Sequence, residues 1–122
     1  SGQWYDPYSG KTLTSAADIQ IDHFIPRKQA YTTGAWEWDF RNRCLYANYL
    51  FNDIQLLSVS GTENQIKSDH APDQYMPPNQ TIWCQYVANW LKIKLIWNLA
   101  LTPNEAQAIS HVIQAKKCSA AL

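Results

Sequence analysis

The most informative stretch of this chain is Ile19-Gln20-Ile21-Asp22-His23-Phe24-Ile25-Pro26. Apolar and polar side chains alternate along its first half, which is typical of a half-buried β-strand, here over about residues 17–25. Pro26 cannot donate a hydrogen bond to a neighbouring strand, so we expect the strand to end there. A carboxylate, Asp22, then lies beside a titratable imidazole, His23, at the strand end. Because neighbours on a strand point to opposite faces, we expect them to share a site only if the strand end twists or bulges.

A second strand is predicted at residues 53–60, which again mix apolar and polar side chains. Gly61 indicates a turn, and the polar residues that follow it, through Lys67, suit a short helix that carries Asn64. We therefore expect a strand–strand–helix unit in a fold of the α+β class, in which a small antiparallel β element is surrounded by helices.

Shorter elements flank this unit. Turn residues between two short strand-like stretches predict a hairpin over residues 3–13. A short helix over residues 27–33 is expected to stop at Gly34. Asp39 is placed to cap a helix that runs to about residue 48. The predicted inner face of that helix carries Phe40, Cys44, Leu45 and Ala47.

Two longer helices are predicted after a proline-containing loop at residues 70–80. The first runs over about residues 82–99 and is capped by Thr81. Its tryptophans recur every seven residues and favour a core face over a ligand platform: Trp83, Trp90 and Trp97. The second helix begins with Thr102, Pro103 and Glu105, the pattern of a capping box, and ends near residue 117.

Length and composition limit the class of protein. The 122 residues suit one domain, residues 1–122, with a strand–strand–helix core at about residues 17–70 and C-terminal helices at about residues 81–117. No apolar run approaches the length of a membrane span, so we expect no membrane partner. The chain opens at Ser1-Gly2 without a signal peptide, which is typical of a mature form or of a domain cut from a larger protein.

The charges neither demand nor exclude a nucleic-acid partner. The net charge is zero, whereas nucleic-acid-binding proteins usually carry a basic surface. A local patch is enough for a protein that contacts few phosphates. The basic residues near the Asp-His and Asn stretches are Arg27, Lys28, Arg41, Arg43 and Lys67. A second group is typical of a solvated surface: Lys92, Lys94, Lys116 and Lys117.

Three cysteines, Cys44, Cys84 and Cys118, leave at least one thiol unpaired within the chain. They show no zinc-site spacing. One interpretation is that all are buried thiols. The other is a single disulfide, for which Cys44–Cys84 is a candidate, as in an exported protein.

Asp22, His23 and Asn64 suit the hydrolysis of a phosphodiester. Histidine titrates near neutral pH, so His23 is suited to take the proton from water. A divalent cation can neutralise the charge on the phosphate and on the leaving oxygen. Mg²⁺ prefers oxygen ligands and keeps several waters, so the Asp22 carboxylate and the Asn64 amide oxygen suffice as protein ligands.

An ordered series of motifs runs along the chain. It comprises Trp4-Tyr5-Asp6-Pro7-Tyr8-Ser9-Gly10, Asp22-His23-Phe24-Ile25-Pro26, Ala30-Tyr31-Thr32-Thr33-Gly34-Ala35, Val59-Ser60-Gly61-Thr62-Glu63-Asn64-Gln65-Ile66-Lys67, Pro77-Pro78 and Cys84-Gln85-Tyr86. The series resembles the HNH (His-Me finger) nucleases, whose core is a ββα-metal unit. It is most similar to the branch of secreted bacterial and fungal nucleases and of the C-terminal domain of GmrSD-type restriction enzymes. The similarity extends from Trp4 to about Leu101.

The resemblance implies roles for individual residues. His23 is the implied general base for water, and Asp22 and Asn64 are the implied metal ligands. Lys67, on the metal-binding helix, is the implied contact to the substrate phosphate. From their nearness in sequence, we expect Arg27 and Arg43 to join it in binding substrate.

One position departs from the family pattern. The family has an Asn nine positions before the ligand Asn, where it braces the loop that bears the base, and this chain has Gln55 there. Glutamine keeps the amide but is one methylene longer. Asn52 is the other candidate for this role, after a register shift.

The resemblance implies an endonuclease that hydrolyses DNA, or RNA, with one Mg²⁺ or Mn²⁺ ion. Its implied setting is an antibacterial toxin or effector domain with an immunity protein as partner, either secreted or delivered into a target cell. The other setting is a cytoplasmic part of a larger restriction-type protein. Two alternatives stand beside the nuclease. One is a catalytically weak or inactive nucleic-acid-binding module with the same fold, and the other is an aromatic-rich carbohydrate-binding domain.

Overall fold

The computed structural model describes residues 2–119, which form two small antiparallel sheets, five α-helices and three short 3₁₀ turns. The strands are β1 (Trp4–Tyr5), β2 (Thr12–Leu13), β3 (Ile19–His23) and β4 (Leu56–Ser60). The helices are α1 (Arg27–Thr32), α2 (Phe40–Ala47), α3 (Gly61–Lys67), α4 (Trp83–Ile96) and α5 (Pro103–Lys116). The chain therefore has the predicted α+β fold. The outermost residues of the predicted domain, 1 and 120–122, lie outside the described part.

The strand–strand–helix unit is formed by β3, β4 and α3. β3 and β4 pair antiparallel, and the register is continuous along all five residues of β3. Ser60 ends β4 and caps α3, because its side chain accepts a hydrogen bond of 3.2 Å from the backbone N–H of Glu63. The helix therefore begins at Gly61, where we expected a separate turn.

The N-terminal hairpin is tied to this unit through Asp6. The turn between β1 and β2 is closed by the Asp6 carboxylate, which accepts from the backbone N–H groups of Tyr8 (3.2 Å) and Ser9 (2.9 Å). The same carboxylate accepts from the backbone N–H of Ser60 at 3.0 Å. These contacts fix the turn beside the start of α3 and hold Tyr8 in the core.

An aromatic cluster forms the centre of the core. The ring of Phe24 lies 4.6 Å from that of Tyr86 and 5.9 Å from that of Trp90, and Tyr8 contacts Tyr86 at 5.8 Å. Trp90 is fully buried. Trp83 and Trp97, seven residues to either side on or next to α4, pack partly buried against this core. The predicted core face of the tryptophan repeat is therefore confirmed.

The caps of α1, α2 and α5 lie where the sequence predicted them. α1 ends before Gly34, where the backbone has a φ of +150°, a conformation that glycine adopts more readily than other residues. Asp39 caps α2 by accepting from the backbone N–H of Asn42 at 2.8 Å. Thr102 and Glu105 form the capping box of α5. The predicted Thr81 cap is wrong, since Asn79 caps a 3₁₀ turn that precedes α4.

The predicted inner face of α2 is wrong. Phe40 is 74% exposed, Leu45 is 44% exposed and Cys44 is exposed. The residue of α2 that enters the core is Tyr46, whose hydroxyl donates to the carbonyl of Ile25 at 2.9 Å. A two-turn helix presents a narrow face to the core, and the large Tyr46 ring fills it.

The cysteines and Lys94 also differ from expectation. Cys84 on α4 is bonded to Cys118, just after α5, so the candidate Cys44–Cys84 pair is wrong and Cys44 is a free, exposed thiol. Lys94 is buried and lies 3.3 Å from the carboxylate of Glu105. It is therefore part of the packing of α4 against α5 and not a surface lysine. None of the described helices has the length and apolarity needed to cross a membrane.

Candidate nuclease-like site

An open cleft lies where the end of β3, the start of α1 and the helix α3 meet. We call it the site cleft; its volume is about 480 Å³. The polar residues that line it include Asp22, His23, Arg27, Lys28, Asn64 and Asp69. The cleft thus brings together the predicted base and both predicted metal ligands. The register of β3 continues through His23 without a bulge, and Asp22 and His23 both line the cleft.

His23 lies half-buried at the end of β3. Its Nε2 is 2.8 Å from the carbonyl oxygen of Ala47, the last residue of α2. A carbonyl oxygen only accepts hydrogen bonds, so Nε2 carries the proton in this contact. The neutral imidazole therefore has its lone pair on Nδ1, the form that takes a proton from water.

Asp22 is buried, with 4% of its surface exposed. Its Oδ2 accepts a 2.5 Å hydrogen bond from the hydroxyl of Tyr8, and both carboxylate oxygens lie 3.1 Å from Nζ of Lys67. Burial raises the pKa of the Asp22 carboxyl from its ordinary value, and the Lys67 ammonium and the Tyr8 hydroxyl partly offset that rise. Burial also raises the pKa of Tyr8, so its hydroxyl stays a donor.

Lys67, the last residue of α3, has no exposed surface. Besides Asp22, its Nζ donates to the carbonyl oxygens of His23 (3.1 Å) and Phe24 (2.7 Å), so each proton of the ammonium has an acceptor. Burial lowers the pKa of Lys67, and the Asp22 carboxylate partly offsets that effect. This position does not fit the predicted contact to a substrate phosphate. Lys67 instead forms an ion pair beneath the site.

Asn64 lies on α3 and lines the site cleft. Its Nδ2 donates to Oε1 of Gln20 on β3 at 2.9 Å, and within residues 2–119 the amide oxygen Oδ1 accepts no hydrogen bond. Gly61 makes this contact feasible, since a Cβ at that position would lie only 3.0–3.2 Å from atoms of the Gln20 side chain. Gln20 can therefore lie against the first turn of α3 and orient Asn64.

Gln55 is buried and does not line the site cleft. Its backbone carbonyl accepts from the N–H of Phe24 at 2.9 Å, directly after His23. Its side-chain Oε1 accepts from Nδ2 of Asn52 (2.9 Å) and from Nε1 of Trp97 (2.8 Å). The two candidates for the bracing residue thus belong to one cluster. Gln55 contacts the segment that bears the base through its backbone.

The two arginines predicted to bind substrate differ in their access to the site cleft. Arg27 is exposed at the start of α1 and lines the site cleft. Arg43, on α2, lines a neighbouring cleft, and its Nη1 donates to the carbonyl of Trp38 at 2.7 Å. Lys28, also in the site cleft, lies 3.4 Å from the Asp69 carboxylate. Arg27 is therefore the predicted arginine with direct access to a phosphate at His23.

Three supporting residues were not identified from the sequence: Tyr8, Gln20 and Ala47. Tyr8 was part of the hairpin motif, but nothing in its spacing indicated that it contacts Asp22. Gln20 precedes Asp22 by two positions and so shares its strand face, which is a signal that the alternation contained. Ala47 acts through its carbonyl oxygen, and a backbone group leaves no sequence signal.

Asp22 and Asn64 are the residues of the site cleft that would offer oxygen ligands to a hard divalent cation. A carboxylate offers about four lone-pair positions, so the three contacts of Asp22 leave room for another. Asn64 adds its amide Oδ1. The described residues contain no group of three or more His, Cys, Asp or Glu side chains that could hold a metal ion. An ion bound by Asp22 and Asn64 would therefore keep several waters, as Mg²⁺ does.

Comparison with known proteins gave two matches. The family model described as "GmrSD restriction endonucleases, C-terminal domain" matches residues 1–112. A protein of Arthroderma benhamiae named "Uncharacterized secreted protein" is 39% identical over 113 residues, which are 93% of this chain and 55% of that protein. The chain thus spans about half the length of this curated relative. No solved structure matches the chain.

Proposed function

The chain belongs to the family of GmrSD restriction endonuclease C-terminal domains, and from this membership we propose that it is a metal-dependent endonuclease of the HNH type that hydrolyses phosphodiester bonds of DNA. The observation that carries the proposal is the arrangement of the site cleft. His23, with its lone pair on Nδ1, shares this cleft with the oxygen donors Asp22 and Asn64. Membership of the family supports the endonuclease class. The residues of the site cleft support the proposed hydrolysis by an activated water.

His23 is the proposed general base. Its Nδ1 takes a proton from the water that attacks the phosphorus, while Nε2 keeps its hydrogen bond to Ala47. The carbonyl of Ala47 fixes the ring and stabilises the imidazolium that forms. Such a positioned base typically contributes a factor of about 10² to 10⁴ in rate.

Asp22 and Asn64 are the proposed ligands of Mg²⁺ or Mn²⁺. When bound, such an ion supplies positive charge for the phosphate oxygens and the leaving oxygen. Lys67 and Tyr8 hold the Asp22 carboxylate in place, and Gln20 orients the Asn64 amide. Arg27 is exposed in the same cleft and is the proposed phosphate contact.

Cleavage of a plasmid by the purified chain tests this proposal. We expect nicking and cutting in Mg²⁺ or Mn²⁺ and none in EDTA. His23→Ala should lower the rate by about 10²-fold or more without unfolding the chain. His111→Ala, an exposed histidine on α5 outside the site cleft, is the matched control and should cut like the parent chain.

Two results would contradict the proposal. Cutting in the presence of EDTA would show that no metal ion is required. Normal cutting by His23→Ala would show that His23 is not the general base. A folded chain that binds DNA but cuts it in neither metal would support the alternative, a nucleic-acid-binding module with a decayed site. Gln55→Asn would then be the first substitution to try for restoring activity. Preferential cutting of RNA would show that RNA, and not DNA, is the substrate.

We also propose that the protein is exported and acts as a toxin or effector with an immunity protein as partner. A disulfide suits an oxidising compartment, and the relative from Arthroderma benhamiae is named as secreted. Expression in the cytoplasm of a bacterium without a partner protein tests the toxin role. We expect loss of viability with the parent chain and not with His23→Ala. Equal growth with both chains would contradict it.

A further inference from the structure

A second cleft, of about 250 Å³, lies beside the site cleft. We call it the aromatic cleft; it is formed by the start of α1, the segment before α2 and α2 itself. The side chains that matter here are Arg27, Tyr31, Trp38, Phe40, Arg43 and Cys44. Its volume is below the range of about 300–1,000 Å³ that drug-sized ligands occupy, so it suits a single ring system.

The aromatic side chains of this cleft are unusually accessible. Phe40 is 74% exposed and Tyr31 is 50% exposed, although both are large rings. Trp38 is half-buried, and its ring is backed by the rings of Tyr46 (5.9 Å) and Trp97 (5.4 Å). The Trp38 ring therefore forms a wall of the cleft that is held by its contacts with the core. The rings of Phe40 and Tyr31 are accessible for stacking on a planar ligand.

The charge of the aromatic cleft favours an anion. Arg27 and Arg43 are its ionised side chains, and its described lining has no carboxylate. Arg43 is held in place by its 2.7 Å hydrogen bond to the carbonyl of Trp38, which uses one of its five N–H donors. Aromatic rings combined with arginines are the means by which proteins bind single-stranded nucleic acid.

The two clefts share a wall. Arg27 lines both of them. Ala47, whose carbonyl accepts a hydrogen bond from His23, also lines the aromatic cleft. A strand whose phosphate lies at His23 would therefore have its neighbouring nucleotide beside the aromatic cleft.

We propose that the aromatic cleft binds one unpaired nucleobase of the substrate strand, next to the phosphate that is cut. The inference rests on the proposed endonuclease function and adds a preference: the base must leave the duplex to enter, so single-stranded or locally opened DNA is bound more tightly than intact duplex. Phe40 and Tyr31 stack on the base, and Arg27 and Arg43 contact its flanking phosphates.

Binding to oligonucleotides that contain 2-aminopurine tests this proposal, since stacking changes the emission of that base. The measurement uses the His23→Ala chain in EDTA, so that cleavage does not interfere with binding. We expect a change in emission with the single strand and weaker binding of the matched duplex. Phe40→Ala in the same chain should lower single-strand affinity about tenfold, in line with the loss of one stacking contact.

Phe51→Ala provides the matched control, because Phe51 is an equally exposed phenylalanine that does not line the aromatic cleft. Its affinity should equal that of the parent. Cys44 gives a second readout: it lines the cleft and is the thiol outside the disulfide, so bound single strand should slow its alkylation by N-ethylmaleimide.

The inference is overturned if Phe40→Ala and Phe51→Ala bind the single strand equally, or if bound DNA leaves the alkylation rate of Cys44 unchanged. Both readouts are independent of cutting. A chain that stacks 2-aminopurine but cuts no substrate would therefore contradict the proposed endonuclease and support the base-binding cleft. If the chain cuts DNA but Phe40→Ala has no effect on binding, the endonuclease proposal is supported and the base-binding cleft is contradicted.

Discussion

Lys67 forms a buried ion pair with Asp22 beneath the site cleft. Its ammonium has no exposed surface, and its partners are the Asp22 carboxylate and two backbone carbonyls at the end of β3. An isolated buried charge is strongly unfavourable, whereas a paired and hydrogen-bonded one is tolerated. Lys67 and Asp22 therefore depend on each other, and together they fix the strand end that carries His23.

Removing one member of this pair should destabilise the fold. We expect Lys67→Met to lower the free energy of unfolding by about 3–5 kcal/mol, because it leaves the Asp22 carboxylate buried without its counter-ion. The double variant Asp22→Asn/Lys67→Met should regain most of that loss. Chemical denaturation of the two variants and the parent measures both values. A loss of under about 1 kcal/mol in Lys67→Met would contradict the role of the pair.

Gln20 acts on the site through Asn64. Gln20→Met keeps an unbranched side chain of similar size but removes the acceptor for Nδ2 of Asn64. We expect the Mg²⁺ concentration for half-maximal cutting to rise about tenfold, with little change in the melting temperature, because such supporting contacts typically tune metal affinity. Gln107→Met, on an exposed position of α5, is the control. An unchanged metal requirement in Gln20→Met would show that Asn64 needs no such support.

Among the elements, the eight-residue helix α2 contributes to both clefts. Tyr46 faces the core, and the carbonyl of Ala47 at the helix end orients His23. The exposed face carries Phe40 and Cys44 into the aromatic cleft. Phe40 and Cys44, which were expected on the inner face, thus lie on the surface, where they are available to a ligand.

The disulfide joins α4 to the end of α5. Cys84 and Cys118 are separated by 34 residues, and closing a loop of that length stabilises a fold by about 3–4 kcal/mol. We expect Cys84→Ser/Cys118→Ser to lower the melting temperature, and the folded variant to cut normally at low temperature, because neither cysteine lines the site cleft. Thermal unfolding and plasmid cleavage measure the two effects.

Cys44→Ser is the stability control for the disulfide, since it removes the free thiol and leaves the Cys84–Cys118 bond intact. Its melting temperature should match that of the parent under oxidising conditions. An equal loss of stability in Cys44→Ser would assign the effect to the loss of thiol packing and not to the loss of the bond.

Over the whole molecule, buried aromatic side chains pack the elements against one another. The buried tyrosines among them make the free energy of unfolding depend on pH in the alkaline range. Burial raises the pKa of four tyrosines above the ordinary value: Tyr8, Tyr46, Tyr75 and Tyr86. A group whose folded pKa is raised contributes stability that is present below its unfolded pKa, about 10 for tyrosine, and is lost as the pH rises. These phenols should therefore make the fold sensitive to alkali.

We expect the free energy of unfolding to fall by about 3–6 kcal/mol per pH unit above pH about 10, since each such tyrosine contributes about 1.4 kcal/mol per unit. Lys67 and Lys94, whose pKa values burial lowers, have the opposite sign and offset part of the loss up to their unfolded pKa of about 10.5. Chemical denaturation at a series of pH values, with phenolate absorbance recorded in parallel, measures this slope.

Tyr86→Phe is the control for the alkaline response. Among the described residues, the Tyr86 hydroxyl is buried without a hydrogen-bond partner, so its removal leaves no donor or acceptor unpaired. We expect Tyr86→Phe to be at least as stable as the parent at neutral pH and to lose stability less steeply above pH about 10. An unchanged slope would show that Tyr86 does not contribute to alkaline unfolding.

Local patterns in the sequence, namely alternation, capping residues and motifs of fixed spacing, were enough to predict the α+β class, the strand–strand–helix unit and part of the lining of the site cleft. Asp22, His23 and Asn64 were identified in this way. The burial of Lys67, the contact of Ala47 with His23 and the pairing of Cys84 with Cys118 became visible only in the packed structure. Those outcomes depend on which surfaces meet across the chain, and the burial that changes the chemistry of a charged group exists only once the elements have packed.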